Sequence, residues 1–283
     1  GKMVQIGKIN RLSIKEIQAG AIQLNGGDLG DILLKGRYAV QKYRLGEEID
    51  VFVYLDREQR LLATTQRPYA IVGEFAKLTV VSTIQAGAFL GWGLEDDLFV
   101  PKSEQQNSMK QGKAYVVFVF LSEKNNRITA SSKLDKFLGK QPPGYAEGEE
   151  VDLLIYAKTE LGYSAVVNSS HVGIIYDNEV FQKLVIGQRQ KGYIKKIRDD
   201  LKIDLRLQQT GYHGVGDISQ TILNTIRDCG GMVAVTDKSP PEDIYDLFGV
   251  SKKVFKKAIG ALYKEKLIIL DTDGIQLREN KDR

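Results

Sequence analysis

The sequence predicts a mostly β, multidomain chain: three tandem five-stranded barrels followed by a C-terminal α+β domain. Three observations point there. A block of short strand-like runs recurs early in the chain at nearly constant spacing. A third, more divergent copy follows it. After residue 216 the apolar period changes from strand to helix.

The repeat is visible in the letters. Ile17-Gln18-Ala19-Gly20-Ala21 recurs as Ile84-Gln85-Ala86-Gly87-Ala88, 67 residues on (84 − 17). Ile6-Gly7-Lys8-Ile9 matches Val72-Gly73-Glu74-Phe75, and the run from Gly46 to Leu55 matches that from Gly112 to Leu121, both 66 residues on (72 − 6, 112 − 46). The third copy opens with Gly148-Glu149-Glu150-Val151 and sets Leu161-Gly162-Tyr163 at the Gly-Ala segment. It sets Gly187 to Ile194 at the Gly46 strand and closes with Lys202-Ile203-Asp204-Leu205-Arg206. Each unit holds about five runs rich in Val, Ile, Leu, Phe and Tyr, broken by Gly, Asn, Asp and Lys, which is strand and turn chemistry. In the last run Ile203, Leu205 and Leu207 alternate with Lys202, Asp204 and Arg206. Five short strands avoid exposed edges by closing into a barrel. Gly20, Gly87 and Gly162 are read as mid-strand residues that permit a tight bend or a close backbone approach. The expected barrel bounds are 1–66, 67–138 and 145–210.

The last quarter, 217–283, follows a glycine-rich stretch from Gly211 to Gly216 that reads as a linker. Ile218, Ile222, Leu223 and Ile226 mark one helix face, ended by Gly230-Gly231. Ser239 with Pro240-Pro241 reads as the start of a second helix through Phe248, and Ser251 as the cap of a third through about Glu265. Leu267 to Leu270 and Ile275 to Leu277 form a hairpin about Asp273-Gly274. Helix, helix–turn–helix, hairpin is the winged-helix order. On the third helix Val254, Phe255, Ala258, Ile259, Ala261 and Leu262 share one arc, and Lys252, Lys253, Lys256 and Lys257 the opposite one. That arrangement suits phosphate contact, and equally a solvated face.

Composition narrows the function classes. With 40 basic and 36 acidic residues the net charge is only +4, so placement of charge matters more than its sum. The single cysteine, Cys229, rules out a disulfide framework and fits a reducing compartment. No apolar run approaches the roughly 20 residues that span a bilayer, and no leader opens the chain, so a cytoplasmic protein without membrane contact is expected. Two histidines and one cysteine do not close a zinc site of the usual kind. Phosphate-loop, dinucleotide-turn and serine-elbow patterns are missing, and the acidic pairs Asp96-Asp97 and Asp199-Asp200 fall in expected turns. A protein without cofactor, metal or catalytic centre is expected.

The repeat units resemble the S-one domain, an OB-type RNA-binding barrel. The chain as a whole resembles the bacterial conserved virulence factor B (CvfB) family, regulators with three such barrels and a winged helix. The resemblance rests on collinear stretches across nearly the whole chain. Among them are Gly30-Asp31-Ile32-Leu33-Leu34, Val72-Gly73-Glu74-Phe75-Ala76, Trp92-Gly93-Leu94-Glu95, Asp97-Leu98-Phe99-Val100-Pro101, Asn178-Glu179-Val180-Phe181-Gln182 and Gly192-Tyr193-Ile194-Lys195-Lys196. It implies RNA binding and a role in gene expression.

OB barrels bind single strands with stacking rings and phosphate-following cations. The resemblance puts an aromatic just after the strand glycine and cations on the last two strands, which favours the third barrel. Its candidates are Tyr163, Tyr176, His171 and Tyr193 with Lys195, Lys196, Arg198, Lys202 and Arg206. From Gly187 to Gln208 there are seven basic and three acidic residues. The second barrel offers Phe89 and Trp92, with Phe99 read as core. The first has only Ile22 at the corresponding place, with Lys35, Arg37 and Tyr38 in a loop. The expected partner is single-stranded RNA bound with low sequence specificity. The winged helix could instead serve duplex DNA, in a transcription factor, or a protein, in a ribosome- or protein-docking adaptor.

Overall fold

The computed structural model describes residues 3–18, 20–36, 43–180, 183–207 and 215–278. The chain forms two compact units, Gly1–Leu138 and Gly139–Arg283. The first unit holds two closed barrels. One comprises β1 (Ile9–Gln18), β2 (Ala21–Asn25), β3 (Asp31–Leu34), β4 (Glu48–Leu55) and β5 (Leu61–Thr64). The other comprises β6 (Phe75–Ile84), β7 (Gly87–Gly91), β8 (Leu98–Pro101), β9 (Ala114–Leu121) and β10 (Ile128–Ser131). The second unit holds a third barrel of β11 (Glu150–Lys158), β12 (Gly162–Val167), β13 (His171–Tyr176), β14 (Arg189–Ile197) and β15 (Ile203–Arg206).

All three barrels share one strand order, in which the third strand runs parallel to the fifth. The first strand of each bulges at an equivalent residue, Lys15, Val81 or Tyr156, and the bulge bends the strand toward closure. A turn glycine with positive φ precedes each fourth strand, at Gly46 (82°), Gly112 (81°) and Gly187 (91°). A side chain there would strain the left-handed backbone.

The register shows how the repeat is phased. Ile9 pairs with Phe52 and Phe75 with Phe118, a spacing of 66 (75 − 9, 118 − 52). Gln18 pairs with Ala21 and Ile84 with Gly87, again 66 apart (84 − 18, 87 − 21). The letter-for-letter match at 67 is therefore one residue out of step with the strands. Gly20 lies in the β1–β2 turn, whereas Gly87 and Gly162 open β7 and β12, so none of the three is mid-strand. The third barrel follows the second at 75: Tyr193 faces Arg206 as Phe118 faces Ser131 (193 − 118, 206 − 131).

Alternation sends Val51 and Val53 of β4 into the first barrel and Phe52 and Tyr54 outward. Those outward rings are not solvated. With Leu62 they join the apolar cluster of the second barrel, where Phe52 meets Trp92 edge to face at 5.7 Å. Backbone bonds extend the seam: Val72 N–H donates to Gly7 O (3.0 Å), and Lys8 Nζ donates to Val72 O (2.6 Å). Burying a ring such as Phe52 contributes roughly 1.5–3 kcal/mol, so the seam joins the two barrels into one body.

The C-terminal region has α1 (Val215–Asp228), β16 (Met232–Val233), α2 (Pro241–Phe248), α3 (Lys252–Lys264), β17 (Ile268–Asp271) and β18 (Gly274–Leu277). Helices α1 and α3 pack on a sheet of order β16-β18-β17, and α2 packs against both helices. The core is Ile222, Ile226, Ile244, Phe248, Phe255, Ile259, Leu262, Ile268 and Ile275, and Ile222, Ile226, Phe255, Ile259 and Leu262 lie on the helix faces that periodicity predicts. Ser251 Oγ accepts the Val254 N–H and caps α3. Ser239 does not cap α2: Pro240 holds that position, and Ser239 Oγ accepts the Thr236 N–H instead. The hairpin turn is Thr272-Asp273, because Asp271 pairs with Gly274. The expected linker falls partly outside the described residues, as do Arg37 and Tyr38. Among the described residues no helix is long and apolar enough to cross a membrane.

Candidate nucleic-acid interface

Each barrel strand sends alternate side chains inward and outward, and residues paired across two strands share a side. In the second barrel Ala88 and Leu90 of β7, Leu98 and Val100 of β8, and Ala130 of β10 fill the interior. Phe89, Phe99 and Thr129 are therefore outward, and the register sets them side by side: Phe89 opposite Phe99, Phe99 beside Thr129. The two rings are half-buried, with centroids 5.1 Å apart. Gly87 makes room for them. A Cβ there would lie 2.3 Å from Val100 O and 2.9 Å from Cε2 of Phe99, so a larger residue would have to displace the β8 backbone as well as that ring.

These rings border a groove of about 150 Å³. Arg57, from the turn after β4, holds its guanidinium 5.6 Å from the Phe89 centroid, and Arg127 and Asn125 also line the groove. Neither arginine has an ion pair among the described residues. Asp96 and Asp97 also line the groove, and Lys35 Nζ offsets part of that charge through Glu95 (3.1 Å) and Asp96 (3.9 Å). The hydrogen bond to Glu95 raises the pKa of Lys35. Flat rings beside guanidinium groups can stack a base and bind the adjacent phosphate.

The apolar strand around Phe99 points to core, whereas the structure turns that ring outward, and Arg57 and Arg127 carry no motif. Phe99 was detectable from its odd position between Leu98 and Val100. Arg57 was not, because its neighbour belongs to a different barrel. Trp92 is a correction in the other direction. It is 4% exposed and lies among the buried residues of the seam. Its Nε1 donates to Asp96 O at 2.7 Å. The ring packs in the seam between the two barrels, and although it borders the groove it is too covered to stack a base.

The first barrel uses the same surface differently. Gln23 and Leu33 occupy the positions of Phe89 and Phe99, Leu62 that of Thr129, and Leu62 is covered by the second barrel. Ile22 points inward and is 1% exposed.

The third barrel corrects the expected site most. Tyr163 pairs with Ile175, which is core, and shares a side with Ala165 and Val167. Its ring packs against the interior cluster, with Lys158 Nζ 4.7 Å above it. Tyr163 comes one residue after Gly162 whereas Phe89 comes two after Gly87, and one residue reverses the side. His171 also lies on the inward side. Its Nε2 donates to Gln141 O (2.8 Å) and its Nδ1 accepts from the Tyr145 hydroxyl (2.7 Å), so both ring nitrogens are engaged. Tyr176, Tyr193, Lys196 and Arg206 do share the outward side, through the pairs Tyr193–Arg206 and Lys196–Asp204 and the Ile174–Asp204 neighbourhood.

Much of the charge there is already spent. Arg198 binds Asp204 at 3.1 Å, donates to the Tyr176 hydroxyl, and lies 5.4 Å from that ring. The Asp204 contact raises the pKa of Arg198 further. Lys195, at a bulge in β14, binds Glu179 at 2.6 Å. Lys202 is exposed at the β14–β15 turn. The predicted cluster is thus divided: five of its residues, counting Arg198, meet on the outer side, while Tyr163 and His171 lie on the inner side.

On α3, Lys253, Lys256 and Lys257 are exposed opposite the buried Phe255, Ala258, Ile259 and Leu262. Lys252 turns back and donates to Ser239 O at 3.0 Å.

Family models match three stretches of this chain. The S1 domain family matches residues 6–66 and 72–133, and the CvfB-like winged helix domain matches residues 220–277. A protein named conserved virulence factor B from Staphylococcus epidermidis is 23% identical over 281 residues, covering 96% of this chain and 94% of that protein. The uncharacterized protein YitL of Bacillus subtilis is 25% identical over 242 residues, covering 82% of this chain and 80% of its own. A solved structure described as a multidomain protein with nucleic acid binding domains, from Streptococcus pneumoniae, is 22% identical with a TM-score of 0.43. It covers 96% of this chain and 98% of that one.

Proposed function

We infer that this chain, which belongs to the conserved virulence factor B family, is a cytoplasmic RNA-binding regulator of gene expression that works by binding and has no catalytic centre of its own. S1 domains with a winged helix are a nucleic-acid-binding architecture. The observation that carries the reading to single-stranded RNA is the outward pair Phe89 and Phe99 beside Arg57 and Arg127. Rings of this kind need an unpaired base, since a base inside a duplex is already stacked on both sides. Ring stacking tolerates any base, so sequence preference is weak. The outer side of the third barrel, with Tyr176, Tyr193, Lys196 and Arg206, extends the same chemistry.

Fluorescence anisotropy with labelled single-stranded RNA, single-stranded DNA and duplex DNA at two salt concentrations tests this. Single-stranded RNA is expected to bind tightest, with a logarithmic salt slope of about 0.7 per phosphate contacted. Tightest binding to duplex DNA, or a flat salt response, would contradict the inference.

A second contact has its own support. The exposed Lys253, Lys256 and Lys257 suit a phosphate backbone. The double substitution Lys253→Glu and Lys257→Glu is expected to abolish duplex binding by the full chain and to leave single-strand binding within about threefold. Duplex binding that persists in the double variant would remove α3 from any nucleic-acid role.

A further inference from the structure

The ring surface belongs to the second barrel, but the guanidinium over it does not. Arg57 lies in the turn from Asp56 to Arg60, between β4 and β5 of the first barrel. That turn is tightly made. Asp56 is 7% exposed, its Oδ1 accepts the N–H of Glu58 (2.9 Å) and of Arg60 (2.9 Å), and its Oδ2 accepts Nε of Arg60 (2.8 Å). The Arg60 N–H above all holds this carboxyl below its ordinary range, so the clasp is charged at neutral pH. Arg60 is used up by Asp56 and Glu58. Arg57 is exposed, has no ion pair among the described residues, and projects over Phe89. The seam of Phe52, Tyr54 and Leu62 against Trp92 fixes the turn relative to the rings.

We propose that the first two barrels form one composite binding site, in which Arg57 of the first barrel takes the phosphate next to a base stacked on Phe89 and Phe99 of the second. This rests on the reading of that face as a single-strand surface. Although the first barrel has Gln23 and Leu33 where its neighbour has rings, it contributes to recognition by supplying a cation at a fixed place. A guanidinium is the suitable group, because its planar fork can stack on a ring and donate to phosphate at once. Arg127, which lines the same groove, supplies a second cation for the strand's phosphates. The ligand class is a single strand of at least two nucleotides.

The test uses the full chain and a labelled oligouridylate RNA, with anisotropy titrations over a range of salt. Four variants are compared: Arg57→Gln, Arg57→Lys, Phe89→Ala and, as a control away from the groove, Lys113→Gln. Arg57→Gln is expected to lose at least about tenfold in affinity, as for a charge-assisted phosphate contact. Its salt slope should fall by about one contact. Arg57→Lys should recover the slope and only part of the affinity, and Lys113→Gln should stay within about twofold of the parent protein. If Phe89→Ala weakens binding while Arg57→Gln leaves affinity and slope unchanged, the ring face stands and the composite site is wrong, Arg57 serving only to shield Phe89. If neither substitution alters binding, the face itself is not the site, and both readings fall.

Discussion

Replacing Phe99 by alanine is expected to weaken single-stranded RNA binding by about 1–3 kcal/mol, roughly 5- to 150-fold, while Tyr163→Ala leaves affinity unchanged. The contrast comes from strand parity. Phe99 faces outward beside Phe89, over the gap left by Gly87, whereas Tyr163 lies on the side of Ala165 and Val167 and packs against the third barrel's interior. Tyr163→Ala should instead lower the stability of the third barrel, because a half-buried ring leaves space behind. Parallel RNA titrations and thermal melts of the two variants check both halves. A Tyr163 variant that folds normally but loses RNA, beside a Phe99 variant that keeps it, would return the site to the third barrel.

Trp92→Ala should cost about 3–5 kcal/mol in the unit formed by residues 1–138, the range for removing a buried large aromatic side chain. The ring is 4% exposed, meets Phe52 edge to face, and donates its indole N–H to Asp96 O. Truncation opens a cavity between two barrels and leaves that carbonyl without its donor. The residue is also its own probe, being the only tryptophan in the chain. In the parent protein, red-shifted indole fluorescence during urea unfolding will mark the opening of the seam. In Trp92→Ala, far-UV circular dichroism should show part of the β signal melting at lower temperature while the helical signal persists. Trp92→Phe, which keeps most of the packing and loses only the hydrogen bond, should fall between. Unchanged stability in Trp92→Ala would mean that the seam contributes little.

Much of this architecture was legible in the sequence, because it depends on local chemistry. Glycine turns at Gly46, Gly112 and Gly187 and the alternation of Ile203 and Leu205 with Asp204 mark the barrels. The apolar stripe through Phe255, Ala258, Ile259 and Leu262 marks the third helix. The site was less legible, for three physical reasons. Letter identity at a spacing of 67 in one block masked there the register of 66 that the flanking blocks keep, and a single residue decides which side of a sheet a ring takes. Trp92 between two glycines looks like a loop tip until a neighbouring barrel is laid over it. The contact between Arg57 and Phe89, 32 positions apart (89 − 57), arises only when two separately closed barrels dock, and no strand or helix period encodes it.

The shared seam also bears on how the protein is made. Chains emerge N-terminus first, so the first barrel can close before its partner has been synthesised. Until then Phe52, Tyr54 and Leu62 form a sticky face toward water. A stalled or clipped product ending before Trp92 would carry that face permanently and be prone to aggregation or capture by chaperones. Translation through the second barrel is therefore the step that makes the nascent N-terminal region soluble.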